Sequence, residues 1–149
     1  YDEFHKVLER GGVVGGSSAG ATILGEYLVR GDTRGSGIVM TDEENHQLGF
    51  EFIRKVAIDQ HINTRNRWDH IIPLIEQQPH LLGIGLSEDT AIIVTGDKFE
   101  VMGDWMVAVH DNTRAYQPWE KPYFVLAPGD MYDMRARRIV VPVQVSGTN

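Results

Sequence analysis

The sequence predicts an α/β fold whose carboxyl-terminal part is a mixed or antiparallel sheet. Strand-like and helix-like segments alternate in the first half of the chain, and short apolar runs separated by turn residues crowd together in the second half. The chain has 149 residues, of which 42% are hydrophobic and 23% charged, as is typical of a globular protein. No internal repeat or linker is visible in the sequence, which therefore indicates one structural unit.

The first half of the chain is predicted to begin with a helix over residues 1–10, where apolar residues recur at helical spacing and two glycines follow. Residues 13–14 are a β-branched pair between glycines, which predicts a short buried strand. A second helix is predicted from residue 18 to about residue 30. The remaining elements predicted in this half are a loop at 31–37, a strand at 38–40 and an acidic loop at 41–47.

The second half of the chain is predicted to consist mainly of strands. It begins with a segment from residue 52 that leads into a short strand, VAI, at residues 56–58. A helix is predicted over 67–78, in which Pro73 predicts a kink or break. Further strands are predicted at 83–86, 91–94, 99–102, 105–110, 123–126 and 139–143, with a turn at 95–98.

Charge and cysteine content exclude several classes of function. The chain has 14 Lys and Arg against 21 Asp and Glu, and the net charge of -7 gives no electrostatic footprint for nucleic acid. No apolar run approaches the roughly 20 residues that span a bilayer, so no membrane segment is predicted. Cysteine is absent, which excludes a cysteine nucleophile within this chain and leaves Ser, Thr, Lys or a carboxylate for covalent catalysis.

The segment GSSAG at residues 16–20 fits the pattern G-x-S-x-G, with Ser18 at its centre. In a nucleophile elbow a strand turns sharply into a helix, and small neighbours relieve the strained serine. The alternative is a glycine-rich turn in which Ser18 caps a helix; a phosphate-binding loop would need a lysine after the glycines. The predicted strand before and helix after the motif favour the elbow, where the Ala19 amide is placed to bind an oxyanion.

A serine nucleophile needs a base and an acceptor that orients the base. His61 follows a predicted strand, at the edge where open α/β sheets gather their functional groups, and His110, which also ends a strand, is the second candidate. Glu88 follows another strand and is placed to orient an imidazole, with a polar turn as the alternative. Arg65 and Arg67 are placed to converge on a carboxylate, with a solvated loop as the alternative.

Three segments taken together, GGVVGGSSAGA, AIDQHINTRNR and GIGLSEDTAIIV, resemble successive motifs of the cyanophycinase-like serine peptidases. These peptidases are relatives of dipeptidase E with a class I glutamine-amidotransferase-like fold. The resemblance covers roughly the first two-thirds of the chain and implies an open, mostly parallel sheet flanked by helices. A glutamine amidotransferase of the same fold would need a cysteine at the elbow, and this chain has none.

The resemblance also implies a role for each candidate residue. It makes Ser18 the nucleophile, His61 the general base and Glu88 the acid that orients His61. It implies no metal and no organic cofactor. The residues that it implies in substrate binding are Asp59 and Gln60, as pocket wall, and Arg65 and Arg67, which hold substrate charge.

The resemblance implies a peptide substrate. The family cleaves isopeptide bonds of β-aspartyl-arginine polymers, and its relatives cleave aspartyl or β-aspartyl dipeptides. We therefore expect a serine peptidase that hydrolyses β-aspartyl bonds, with an Asp-specific dipeptidase or a catalytically inactive binding homologue as alternatives. His70 stands where cyanophycinases commonly have a further arginine, which leaves the choice of substrate open.

The position of the elbow gives an expectation about domain organisation. In the family the elbow follows several strands, whereas here it lies at residue 18. We therefore expect residues 1–149 to be the carboxyl-terminal portion of a single peptidase domain, whose amino-terminal strands and second oxyanion donor lie in a missing portion. The expected partners are that portion, the peptide substrate and a second copy in a homodimer, with no nucleic acid and no membrane.

Overall fold

The computed structural model describes residues 1–31, 37–38 and 47–142, which form two β-sheets and three short helices. The helices are α1 (Asp2–Glu9), α2 (Ala19–Thr22) and α3 (Ile72–Gln77). The strands are β1 (Gly25–Tyr27), β2 (Ile53–Gln60), β3 (Leu82–Leu86), β4 (Thr90–Thr95), β5 (Lys98–Gly103), β6 (Val107–Asp111), β7 (Phe124–Leu126), β8 (Met131–Asp133) and β9 (Arg138–Val140).

The first sheet has the strand order β1-β2-β3-β6-β7 and joins a parallel half to an antiparallel half. Strands β1, β2 and β3 run parallel, whereas β6 pairs antiparallel with β3, and β7 with β6. The second sheet, in the order β4-β5-β8-β9, is antiparallel throughout. This arrangement confirms the predicted α/β class with a mixed carboxyl-terminal part.

The main apolar core lies between the two sheets. Val56 and Ile58, on one face of β2, pack in the same cluster as Phe99 and Tyr132 of the second sheet. The other face of the first sheet packs against α3, where Leu74 is fully buried. Burial of each such side chain contributes roughly 1.5–3 kcal/mol, so the three layers hold the first sheet firmly in the middle.

Strand β3 is central in the first sheet and is buried along its whole length. Its two glycines allow the layers on either side to approach closely. A Cβ on Gly83 would lie 2.9 Å from the Cβ of His110, and one on Gly85 would lie 3.1 Å from the Cδ1 of Ile62. This tight packing fixes the position of the residues that follow β3.

The predicted second helix is wrong over most of its length. Helix α2 stops at Thr22, and the chain continues as the parallel strand β1. Two residues of β1 explain the change. Gly25 packs so closely on β2 that a Cβ there would lie 2.7 Å from the carbonyl oxygen of Val56, and the side chain of Tyr27 is buried. Pairing with β2 therefore overrides the local helical spacing, a long-range effect that periodicity does not reveal.

The predicted strand at residues 13–14 is also wrong. Neither residue is assigned to a strand, and Val13 is 89% exposed. A strand needs a ladder partner, and within the described residues none pairs with this segment. The segment instead lies along the cavity described below.

The other helices follow the prediction more closely. Helix α1 ends before Gly11, whose φ of 81° is one that glycine adopts without strain. The helix predicted over 67–78 is shorter, because Pro73 lies in the first turn of α3 and marks its beginning. Pro73 thus produces the predicted break, and residues 68–71 form turns.

The strands predicted in the second half are confirmed at slightly different bounds. The turn at 95–98 closes the β4–β5 hairpin, whereas β8 is absent from the prediction because Met131–Asp133 is too short to show an alternating pattern. The predictions made for residues 32–36, 39–46 and 143 lie outside the described residues. No helix in the described part of the chain is long and apolar enough to cross a membrane.

Candidate active site

Ser18 occupies a strained backbone position immediately before α2. Its φ of 53° and ψ of -125° lie outside the regions that non-glycine residues commonly adopt. The neighbours are small for a steric reason, since a Cβ on Gly16 would lie 2.1 Å from the carbonyl oxygen of Gly20. The Ser18 side chain makes no capping hydrogen bond to α2. The strained backbone and the free side chain are those of a nucleophile elbow rather than those of a helix cap, although no strand precedes Ser18 among the described residues.

His61 and Glu88 come together because the strands before them are parallel neighbours. Strand β2 ends at Gln60 and β3 at Leu86, and these two residues are partners in the register. The carboxyl ends of both strands therefore lie at one edge of the first sheet. Helix α2 packs against β2, which brings Ser18 to the same edge.

A chain of hydrogen bonds joins Ser18, His61 and Glu88. The Oγ of Ser18 lies 2.9 Å from the Nε2 of His61, and the Nδ1 of His61 lies 2.8 Å from the Oε1 of Glu88. Because a carboxylate only accepts, Nδ1–H of His61 donates to Glu88, which leaves Nε2 to accept the hydroxyl proton of Ser18. In an arrangement of this kind a histidine can act as a base towards a serine hydroxyl.

Glu88 is held by two residues of the loop that follows His61. The Oγ1 of Thr64 donates to Oε1 of Glu88 at 2.9 Å, and the Oδ1 of Asn63 accepts from the Glu88 amide at 2.9 Å. The hydrogen bond from Thr64 is the largest cause that lowers the pKa of Glu88, and the hydrogen bond from His61 also lowers it. The hydrogen bonds from Thr64 and His61 therefore favour the carboxylate form of Glu88, which is the form that can accept from the imidazole.

Ala19 is the first residue of α2, so its amide has no carbonyl one turn earlier in the helix to bond with. An amide directly after a nucleophile is one of the two donors of an oxyanion hole in elbows of this kind. The geometry of α2 is compatible with that role, which stays a prediction.

A cavity of about 840 Å³ lies beside Ser18 and His61. Its polar lining includes Gln60, whose Oε1 is buried and has no hydrogen-bond partner among the described residues. Most of the remaining lining is apolar and includes Val13, Val14, Leu24, Phe52, Ile58, Leu86 and Ile92.

The family model of peptidase family S51 matches residues 2–102 of the chain. The chain belongs to peptidase family S51. It is 35% identical over 112 residues to a cyanophycinase of Nostoc sp., an alignment that covers 70% of this chain and 36% of the relative. It is 28% identical over 155 aligned positions to a cyanophycinase of Thermosynechococcus vestitus, covering 93% and 47% of the two chains. The predicted resemblance to cyanophycinase-like peptidases is thereby confirmed.

Among solved structures, the S51 chain resembles a peptidase from an acI-B1 Actinobacterium, with a TM-score of 0.61 and 22% identity. The similarity covers 89% of this chain and 50% of that protein, and it supports the α/β fold. The S51 chain thus spans half or less of the length of these relatives.

The structure places Asp59 away from the pocket wall. Side chains alternate along β2, so Gln60 points to the cavity and Asp59 to the opposite face, where it is buried. There Oδ2 of Asp59 lies 2.7 Å from the Nδ1 of His70, and Oδ1 accepts the Gln60 amide at 2.9 Å. The expected wall position therefore fits Gln60 and not Asp59.

The two arginines of the S51 motif do not converge. Arg65 is exposed, and its charge contributes to lowering the pKa of Glu88 after the larger contributions from Thr64 and His61. Arg67 is partly buried, and its Nη1 lies 4.0 Å from the Oδ1 of Asp59. Arg65 thus lies on the side of Glu88, whereas Arg67 lies on the side of Asp59, on the buried face of the sheet.

His110, the second candidate for the base, lies on the face of the first sheet that packs on α3. It is 2% exposed, and burial lowers its pKa to about 4. Gly83 of β3 is its partner in the register. His61, and not His110, is the histidine that contacts Ser18.

Sequence reasoning missed Asn63 and Thr64, although both lie in the segment AIDQHINTRNR. Their signal was the presence of two polar side chains in the short loop between His61 and the arginines. Within residues 1–31, 37–38 and 47–142, no group of three or more His, Asp or Glu side chains is placed to hold a metal ion.

Proposed function

We propose that this S51 chain carries the catalytic residues of a serine peptidase that hydrolyses β-aspartyl isopeptide bonds. The observation that carries the proposal is the continuous hydrogen bonding from the strained Ser18 through His61 to Glu88, at 2.9 and 2.8 Å. The match to a peptidase family supports the reaction class, and the cyanophycinase relatives support the substrate class.

In the proposed reaction, His61 takes the hydroxyl proton of Ser18 as its Oγ attacks the β-aspartyl carbonyl. The carbonyl π electrons move to the oxygen, and the Ala19 amide donates to the resulting oxyanion. The oxyanion then re-forms the carbonyl as the C–N bond breaks, His61 gives its proton to the departing amine, and the acyl group remains as an ester on Ser18. Water repeats the sequence on this acyl-enzyme, with His61 again as base, and frees the acid product.

Substrate recognition is proposed to use both charge and hydrogen bonding. Arg65, exposed at the catalytic edge, is placed to pair with the free α-carboxylate that lies next to a β-aspartyl carbonyl. The side-chain amide of Gln60 faces the cavity, and its unpaired Oε1 is available to accept an N–H of the substrate.

Ser18→Ala in the full-length protein tests the nucleophile. We expect hydrolysis of β-aspartyl substrates to be lost, together with labelling of the protein by a fluorophosphonate probe. Ser17→Ala is the matched control, because it removes the neighbouring serine hydroxyl and keeps the proposed nucleophile. Retained turnover in Ser18→Ala, or a label located on another residue of an active preparation, would contradict the assignment.

An Asp-specific dipeptidase is the second candidate, and the position of Arg67 favours it. With Arg67 close to Asp59 and His70 in place of a further arginine, fewer positive groups face a polymer that carries many charges. A substrate panel of β-aspartyl-arginine polymer, β-aspartyl dipeptides and α-aspartyl dipeptides separates the two candidates. Release of β-Asp-Arg from the polymer supports the first, and cleavage of dipeptides alone supports the second.

Three expectations about assembly remain predictions: the place of residues 1–149 at the carboxyl-terminal end of one peptidase domain, a homodimer, and a second oxyanion donor outside this chain. Sedimentation of the full-length protein measures the oligomeric state. A monomer at all accessible concentrations would contradict the homodimer.

A further inference from the structure

A second histidine–carboxylate pair, Asp59 and His70, lies next to the edge of the first sheet that carries Ser18, His61 and Glu88. Asp59 is two residues before His61 on β2, and its side chain is 3% exposed. Its Oδ2 lies 2.7 Å from the Nδ1 of His70, whose side chain is 6% exposed. Since a carboxylate only accepts, the His70 ring donates to Asp59, and both groups are shielded from water.

The pair closes the loop that runs from His61 to His70. Asp59 also accepts the amide of Gln60 through its other oxygen, so one carboxylate contacts the strand just before the loop and the histidine at its end. Inside the loop, the amide of Arg65 donates to the carbonyl of His61 at 3.0 Å. Asp59 therefore joins the two ends of the loop, since it contacts Gln60 before the loop and His70 at its end.

The same loop carries groups that the proposed reaction needs. It begins with the base His61, its residues Asn63 and Thr64 hold Glu88, and Arg65 lies at the substrate side. A shift of this loop would therefore move the base and the group that orients it together. Displacements of about 1 Å can reduce catalytic rates on the order of 100-fold.

We propose that the Asp59–His70 pair is a positioning device for residues 61–70 and that a proton on His70 strengthens its hold on the loop. The inference rests on the proposed function, because the loop matters to activity only if His61 is the base. Neither residue touches the substrate in this assignment. They act through His61, Thr64 and Arg65.

The charges around His70 support a protonated imidazole. Among the described residues, the charged groups that face it are Asp59 on β2 and Arg67 on the same loop. The hydrogen bond to Asp59 is the largest cause that raises the pKa of His70, and burial and Arg67 oppose it. The Nε2 of His70 is buried without a hydrogen-bond partner among the described residues, so the attraction of the Asp59 carboxylate is what favours the second proton. A neutral His70 still donates Nδ1–H to the Asp59 carboxylate, but the imidazolium adds a Coulombic attraction between opposite charges, so loss of the proton weakens the closure without abolishing it.

The pH dependence of kcat/KM in the full-length protein tests this role, with His70→Asn as the main variant. Asparagine supplies an N–H near the position of Nδ1 but does not titrate. We expect the wild type to lose activity on the alkaline side as His70 gives up its proton. His70→Asn should have roughly fivefold lower kcat/KM in mildly acidic buffer and lack that alkaline decline.

His80→Asn is the matched control, because His80 is an exposed histidine outside the site. We expect it to keep the wild-type profile. An alkaline decline of wild-type size in His70→Asn would overturn the inference, as would a wild type without any decline. A purely structural role would lower activity equally at every pH and leave the shape of the profile unchanged.

NMR of the His70 imidazole gives a readout that does not depend on activity or on the folding of His70→Asn. The ordinary titration midpoint of a histidine lies at about pH 6.5. In the wild type we expect His70 to remain protonated above that pH. In Asp59→Asn we expect the midpoint of His70 to be lower than in the wild type. An unchanged midpoint in a folded Asp59→Asn protein would overturn the inference. Failure of the fluorophosphonate to label Ser18 would instead overturn the proposed function, so the two failures are distinguishable.

Discussion

Two histidine–carboxylate pairs lie between residues 59 and 88 of this chain. Their hydrogen bonds are nearly equal in length, but the pairs differ in burial. His61 and Glu88 are 2.8 Å apart with side chains 22% and 44% exposed, whereas His70 and Asp59 are 2.7 Å apart and almost fully buried. The first pair continues to Ser18 and opens on the cavity. The second is enclosed between β2 and the loop that ends at His70.

The comparison shows that the same contact serves different purposes in different surroundings. At the open edge, the carboxylate leaves one imidazole nitrogen free to face a hydroxyl and a substrate. In the interior, removal of either partner leaves a buried polar group without compensation, so the contact is tied to the stability of the loop. We therefore expect substitutions in the open pair to affect turnover and substitutions in the buried pair to affect stability and pH dependence.

The largest effect is expected for His61→Gln in the open pair. Glutamine occupies similar space but cannot accept and return the proton of Ser18, so kcat should fall about 10⁶-fold, as for the loss of a triad histidine. Steady-state kinetics on a β-aspartyl dipeptide measures the change. Urea unfolding should give nearly the wild-type free energy, because His61 is partly exposed. A decrease in kcat below tenfold would contradict the role of base.

Glu88→Gln comes next in expected size. An amide at this position can donate to Nδ1 of His61, which would favour the imidazole tautomer that presents N–H to Ser18 instead of a free nitrogen. We expect kcat to fall about 10³- to 10⁴-fold. Fluorophosphonate labelling of Ser18 should slow in parallel. Labelling at the wild-type rate would show that Glu88 does not orient the base.

Asp59→Asn probes the buried pair, and here the expected effect is on stability. Loss of the carboxylate removes a charge-assisted hydrogen bond in the interior, at a cost of about 2–4 kcal/mol in free energy of unfolding. Asp69→Asn is the matched control, because the Asp69–Lys121 pair is more than half exposed. The control should lose less than about 1 kcal/mol. Equal losses in urea unfolding would contradict the difference drawn between buried and exposed pairs.

The pH dependence of stability gives a smaller effect on the same pair. The folded-state pKa of His70 is raised, mainly by its hydrogen bond to Asp59. The resulting stabilisation is fully present below the unfolded pKa of about 6.5 and is lost as the pH rises through the raised folded value. Urea unfolding across this window should show a decline in the wild type and a flatter profile in His70→Asn. Parallel profiles would exclude His70 as the source.

The contrast between the two pairs also explains how much of the site could be predicted from the sequence. Ser18, His61 and Glu88 were predicted because each follows a strand signal or lies in a short motif. The burial of Asp59 was not predicted, although the alternation along β2 carried the signal. Apolar Ile58 and polar Gln60 lie on one face of the strand, which leaves Asp59 on the other.

The fold could be predicted where local patterns decide and not where distant contacts do. The β4–β5 hairpin follows from a local turn at Gly96 and from apolar alternation. Strand β1 does not, because Gly25 and Tyr27 adopt strand geometry through pairing with β2, about thirty residues later in the chain. The burial of Asp59, the partner of His70, could not be predicted for the same reason. It depends on how the loop that ends at His70 folds back onto β2.

The smallest effect is expected for Thr64→Val, which sharpens the comparison by altering the open pair without removing a member. The Thr64 hydrogen bond is the largest cause that lowers the pKa of Glu88, so its loss should raise that pKa toward the ordinary value. The lowered pKa of Glu88 stabilises the folded protein at pH values above the unfolded-state pKa, and this stabilisation is lost as the pH falls through the folded-state pKa.

At neutral pH Glu88 stays ionised in either protein, and we expect activity to fall less than about threefold, the effect of one hydrogen bond at a partly exposed site. In acidic buffer the variant should lose activity at higher pH than the wild type, and NMR of the Glu88 carboxyl should show the same displacement. Thr95→Val, at the exposed end of β4, is the matched control and should leave both measurements unchanged. An unchanged midpoint for Glu88 in Thr64→Val would mean that the hydroxyl does not control the ionisation of the carboxylate, which would then depend on His61 and Arg65.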